Sequence, residues 1–179
     1  MSRAEFIDYL KTNRMDPMIM GQIHPTAYVD EIVDYGVLFT VGPNATIGWF
    51  GIGVEWDKQG HIKRMAQLGG IEIGDEVIIL ANAVVDRAAG EKDRTRIGDR
   101  SIIGPHAHVC HNVQVGHDTL ILGDAIVCGG AKIGNRCMIG ANATIRNKIT
   151  IGDDVVVGMG AVVTKNVPDG MTVKGNPAR

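Results

Sequence analysis

An aliphatic residue returns every six positions along most of this chain. From Ile73 the series runs through Ile79, Val85, Ile97, Ile103, Val109, Val115, Ile121, Val127, Ile133, Ile139, Ile145, Ile151, Val157 and Val163, and Glu91 interrupts it. Four residues after each aliphatic the side chain is usually small or β-branched, as at Val77, Ala83, Thr95, Ser101, Ala107, Ala125, Ala131, Cys137 and Ala143. Glycine often follows the aliphatic directly, as at Gly74, Gly98, Gly104, Gly116, Gly134, Gly140, Gly152 and Gly158. A period of six fits neither an amphipathic helix nor an alternating strand. It fits a short strand and a turn, repeated, with glycine supplying the turn conformations. Large and small inward side chains then fill a narrow interior in layers. The result is a solenoid of parallel strands, each stacked about 4.8 Å from its equivalent one coil away. Residues 73–168 hold 16 such hexads without a slip.

The same period occupies residues 23–47 (Ile23, Val29, Tyr35, Val41, Ile47), but in another phase: from Ile47 to Ile73 is 26 residues, four hexads plus two. An insertion over roughly 48–70 explains the mismatch. It holds both tryptophans, Trp49 and Trp56, and is rich in charge, so it is read as a loop projecting from the solenoid. Ahead of the repeat, Ser2 and Glu5 have capping-box spacing, and Phe6, Tyr9 and Leu10 then form the apolar face of a short helix ending near Asn13. Such a helix over residues 1–20 covers the open first coil.

Composition narrows the function. Eighteen Lys and Arg against 20 Asp and Glu leave a net charge of −2, which speaks against nucleic acid and against a polybasic membrane anchor. No apolar run reaches transmembrane length, and the start of the chain does not read as a signal peptide. Three cysteines, an odd number in a chain of this size, point to a reducing compartment, so a cytoplasmic location is expected. Charge is uneven: residues 125–179 carry seven basic and three acidic side chains. A basic C-terminal part suits a donor with several phosphates or an acidic carrier protein.

The pattern of aliphatic, glycine and small residue resembles the hexapeptide-repeat acyltransferases. That resemblance implies a left-handed parallel β-helix with three hexads per coil; the usual rule for parallel crossovers would favour the right hand. A narrower likeness rests on VVDRAAG (84–90), VCHNVQVG (109–116), GGAKIGNRCMIGA (129–141) and the loop GWFGIGV (48–54). These stretches look like those of the UDP-3-O-acylglucosamine N-acyltransferase family of the lipid A pathway. The departures are large. That family has an N-terminal uridine-binding domain where this sequence has about 20 residues, it has a C-terminal helical extension, and its second active-site histidine aligns with Lys148. The segment 162–179, VVTKNVPDGMTVKGNPAR, resembles instead the end of coenzyme-A-dependent sugar and serine acetyltransferases.

His111 lies two residues after an inward aliphatic, on the turn, and faces outward. Alone it reads as a solvated or stacking histidine; the resemblance implies a general base that takes a proton from an amine or hydroxyl nucleophile. Eighteen residues further, Gly129 falls in the same column one coil away, and the family uses this glycine N–H to stabilise an oxyanion. For Asn112, Asp86 and Arg87 the resemblance implies contact with the acceptor, the alternative for the Asp86–Arg87 pair being a surface ion pair. Trp49 and Phe50 are expected to line a sugar or acyl pocket. Arg146, Lys148, Lys165 and Lys174 are the candidates for binding coenzyme A phosphates. Cys110 and Cys128 are eighteen apart and stack, with packing or substrate contact favoured over a thiol nucleophile. A rival reading uses the five-residue spacing of His106 and His111, which gamma-class carbonic anhydrases of the same fold use for zinc. A catalytic zinc needs three protein ligands, and residues 70–105 contain no histidine to complete the set.

The expectation is one left-handed β-helix domain over 1–179, with a tail at 168–179, acting as a homotrimer. It moves an acyl group, acetyl first among them, from a coenzyme A thioester to a sugar or nucleotide sugar bound for a surface polysaccharide or lipid A. The alternative donor is an acyl carrier protein thioester. No metal is required on this reading.

Overall fold

A computed structural model describes residues 21–179, and the helix expected over the first 20 residues lies outside them. Each regular hexad forms a two-residue strand that ends on its aliphatic. The first parallel sheet runs Tyr28–Val29, Thr46–Ile47, Val84–Val85, His108–Val109, Ile126–Val127, Thr144–Ile145 and Val162–Val163. The second runs from Thr40–Val41 through Ile102–Ile103 and Leu120–Ile121 to Thr172–Val173, and the third from Val33–Tyr35 through Arg94–Ile97 and Gln114–Val115 to Thr150–Ile151. Along the regular coils the chain visits the three sheets in turn, so one circuit consumes three hexads.

The inward positions are those the period marks. Ile79, Ile103, Ile121, Ile139 and Ile145 have no exposed surface, and neither do the small residues Ala107, Ala125 and Ala143. Removing such an isoleucine side chain back to alanine costs about 2–5 kcal/mol. Polar residues enter the interior at one corner because they satisfy the backbone there. Ser101 Oγ donates to the Gly116 carbonyl (2.8 Å) and accepts the Thr119 N–H (3.0 Å). Thr119 Oγ1 repeats this one coil on, with the Gly134 carbonyl and the Cys137 N–H.

Glycine has a different role from the one expected. The left-handed turn position is the third residue after the aliphatic, filled by Asn82, Asn112, Asp118, Asp124, Asn142 and Asp154 and also by Glu76, Arg100, His106, Arg136 and Lys148, with φ between 53° and 61°. Glycine stands there at Gly130 and Gly160. The glycines directly after the aliphatic have ordinary φ and are needed for close approach of successive coils. A Cβ on Gly98 would lie 2.6 Å from the Gly116 carbonyl carbon, and one on Gly116 would lie 2.7 Å from that of Gly134.

Pairing register reveals two insertions. Ile47 pairs with Val85, 38 residues on, which puts 20 extra residues into that coil. They form an arm whose exposed antiparallel hairpin pairs Val54–Trp56 with Ile62–Arg64, so the projecting segment stands where it was expected. Its last residue, Gly70, already belongs to the third sheet. The second insertion was not expected: Val85 pairs with Val109, 24 residues on rather than 18. A whole hexad is looped out between them, and six extra residues leave the phase of the period intact. Glu91 breaks the pattern because it sits in this loop. The two insertions brace each other through backbone bonds, Leu68 N–H to Ala89 and Gly69 N–H to Ala88.

The last coil is shorter, with Val157 paired to Val173. Residues 172–173 of the expected tail are therefore a solenoid strand, and Ala178 folds back onto the core with its N–H on the Val162 carbonyl.

Candidate active site

His111 occupies the corner between the first and third sheets, after the strand His108–Val109. The turn continues through Asn112, whose backbone N–H donates to Thr95 Oγ1 at 2.9 Å. Two bonds fix the Asn112 amide: Nδ2 donates to Asp93 Oδ2 (2.9 Å), and Oδ1 accepts the Ala89 N–H (2.9 Å). Both partners come from the looped-out hexad. His111 Nδ1 lies 3.0 Å from the same Oδ1. An amide oxygen only accepts, so Nδ1 carries a proton, and in the neutral ring Nε2 then keeps its lone pair. The imidazole is thus held as an oriented base. Asn112 was expected to touch substrate; both ends of its amide are bonded within the protein.

Gly129 lies one coil on, directly under the ring. A Cβ there would stand 2.6 Å from His111 Nε2 and 2.7 Å from Cε1, so the imidazole fills the space a side chain would take. Gly130 N–H holds the His111 carbonyl at 2.9 Å, while the Gly129 N–H meets no acceptor among the described residues. An unpaired backbone donor thus lies beside a histidine with a free lone pair, the two elements that acyl transfer needs.

The arm is pinned next to this corner. Arg87 Nε donates to the Gly69 carbonyl (3.1 Å), its guanidinium sits 5.4 Å from the Phe50 ring centre, and its backbone N–H donates to the Trp49 carbonyl. Trp49 and Phe50 stand edge to face at 5.2 Å, about half exposed. Gln67, at 2 % exposure, accepts the Gly51 N–H, but its Nε2 is buried without a partner among the described residues. It lines a groove of about 330 Å³ with Phe50, Arg64, Met65, Ala66 and Leu68.

Family models for the hexapeptide repeat of succinyl-transferase match residues 65–87 and 130–165, and those for the bacterial transferase hexapeptide (six repeats) match residues 112–147. Residues 65–87 and 112–165 thus carry hexapeptide repeats of the kind these models describe. UDP-3-O-acylglucosamine N-acyltransferase of Pseudomonas entomophila is 39% identical over 89 residues, 50% of this chain and 24% of that protein. The chain thus spans about a quarter of the length of that relative. Among solved structures, LpxA from Acinetobacter baumannii superposes with a TM-score of 0.68 at 18% identity, over 88% of this chain and 72% of that one. The perosamine N-acetyltransferase of Caulobacter crescentus, bound to CoA and GDP-perosamine, superposes at 0.52 and 22% identity, over 98% of this chain and 62% of its own. The fold shared with these acyltransferases is the left-handed parallel β-helix.

Arg146, Lys148 and Lys165 lie on the same edge as His111, in the next coils. Lys174 follows the strand Thr172–Val173 of the second sheet and sits on a different edge, so the structure does not bring it to the others. Asp86, expected to contact the acceptor, is 3% exposed, and its Oδ2 lies 2.9 Å from His108 Nε2. His106 and His111 stand at opposite ends of the strand His108–Val109, with His106 Nε2 against Asn82 Nδ2. One ion cannot reach both rings within this chain. Sequence reasoning missed Asp93, which is hidden by the phase-preserving hexad.

Proposed function

We propose that this chain transfers an acyl group, acetyl first among them, from a coenzyme A thioester to an amino or hydroxyl group of a sugar or nucleotide sugar. The observation that carries this reading is the His111 ring, held through Nδ1 by Asn112 with its free Nε2 over Gly129. His111 takes the proton from the incoming nucleophile, and the Gly129 N–H steadies the negative charge that builds on the thioester carbonyl oxygen. Arg146, Lys148 and Lys165 extend away along the same edge and hold the donor's phosphates. Trp49 and Phe50 give the acceptor an apolar wall.

A homotrimer is the working unit on this reading. One flat face of the β-helix supplies only half a cleft, and a neighbouring copy supplies the rest. No helix among the described residues is long and apolar enough to cross a membrane, which fits the proposed cytoplasmic setting. A second reading keeps the chemistry and takes the acyl group from an acyl carrier protein; the likeness to the lipid A enzyme across the segment that holds His111 favours it.

The test is turnover with acetyl-coenzyme A and a panel of amino-sugar nucleotides. His111→Ala is expected to lose at least about 100-fold, the usual scale for a general base. Near-normal turnover of that variant would remove His111 from the mechanism. Replacing Lys148 and Lys165 by alanine is expected to raise the donor's KM more than it lowers kcat. Turnover with acyl carrier protein thioesters alone would select the second reading.

A further inference from the structure

Three side chains of unlike chemistry converge beside the His111 corner, outside its hydrogen-bond relay. Asp86 leaves the strand Val84–Val85, while His108 opens the neighbouring strand and Cys110 follows it. The pairing His108↔Val84 and Val109↔Val85 stacks position 110 on position 86. His108 lies two residues before Cys110 and so projects to the same outer face. One ligand atom from each of Asp86, His108 and Cys110 lies within 4.8 Å of the other two. Asp86 is buried beneath Gly51 of the arm, where any side chain would collide with the carboxylate. His108 and Cys110 are half-buried.

We propose that Asp86, His108 and Cys110 form a binding site for a thiophilic divalent cation of the zinc class. One carboxylate oxygen, one imidazole nitrogen and one thiol sulfur are a donor set that zinc and cobalt accept in tetrahedral geometry, with a fourth position left for water. Magnesium and calcium call for oxygen cages and gain nothing from sulfur. Two paired strands hold the donors, so little order has to be imposed when an ion enters. The site differs from the His106–His111 zinc pair that spacing alone brings to mind, and it stands independently of the acyl-transfer reading. Cys128 is in register with Cys110 one coil on, which makes it the natural control.

The experiment uses the full chain, stripped with a chelator and titrated with Co²⁺ under reducing conditions. One equivalent per chain is expected to bind. It should give a sulfur-to-cobalt charge-transfer band in the near ultraviolet and strong tetrahedral bands in the visible, all erased by Zn²⁺. Cys110→Ser should abolish the charge-transfer band, His108→Gln should weaken binding by at least about 100-fold, and Cys128→Ser should leave both unchanged. Far-ultraviolet circular dichroism checks that each variant keeps its β signal. No saturable band in the folded parent, or a band that survives Cys110→Ser, overturns the proposal. The cluster would then be an Asp86–His108 ion pair with a thiol beside it.

Discussion

His111 Nδ1 and Asn112 Oδ1 are 3.0 Å apart, and the same oxygen holds the Ala89 N–H. A residue and its immediate neighbour in the chain thus share a bond that a distant segment completes. Asp93 is the far end of this relay, through the Asn112 Nδ2. Its removal should loosen the imidazole without removing the base. Asp93→Ala is expected to lower kcat about tenfold, a fraction of what the base itself supplies, with KM changed by less than about twofold. Asp93→Asn keeps an oxygen that can accept from Asn112 and should recover most of the rate. An equal loss in both variants would deny Asp93 its positioning role.

Gly129→Ala places a methyl group where the His111 ring now lies. The ring must swing away from its site. A displacement near 1 Å costs about 100-fold in rate, while the β-helix below is untouched. Steady-state kinetics and a thermal melt on the same sample separate the two effects. Full activity in the variant would show that the ring's position over Gly129 is not the productive one.

His108 carries a pH signature. Its bond to the buried Asp86 carboxylate, helped by Cys110, pushes the imidazole up to about 10 from 6.5. Folding therefore favours the protonated ring. Stability from this pair is fully present below about 6.5 and is lost as pH rises through about 10. In metal-free protein, the urea midpoint of the parent should exceed that of His108→Gln at pH 6, and the gap should close towards pH 10.5. A gap that stays constant across this window would refute the raised value.

The two kinds of glycine should respond oppositely to substitution. Gly116→Ala forces a Cβ against the next coil and is expected to cost about 1–3 kcal/mol, as overpacking does. Gly160→Asn puts a side chain into open space at φ 65°, where asparagine already serves at Asn82, Asn112 and Asn142. Its effect should stay within about 0.5 kcal/mol. Denaturant midpoints of the two variants decide the matter.

The interior was legible in the sequence because each inward aliphatic is a local choice, repeated at a fixed period. The site was legible only in part. His111 and Gly129 could be placed in one column by counting forward, since the coils after His111 are regular. Counting backward fails, because the coil that supplies Ala89 and Asp93 holds an additional hexad. Asp86 was expected to contact the acceptor, or else to pair with Arg87 at the surface; it is buried under Gly51, which arrives from the other insertion. Lys174 joined the basic set by composition, and its edge is decided by how many residues the final coil uses.

The looped-out hexad separates what holds the molecule up from what equips it. Excising six residues would let the strands Val84–Val85 and His108–Val109 follow one another as an ordinary circuit, with every inward aliphatic still inward. The tower would stand, and His111 would remain at its corner, but Asn112 would have lost the Ala89 and Asp93 partners that hold it against the ring. A repeat-length insertion is therefore an accessory that a chain of this design can acquire or shed without renegotiating its architecture.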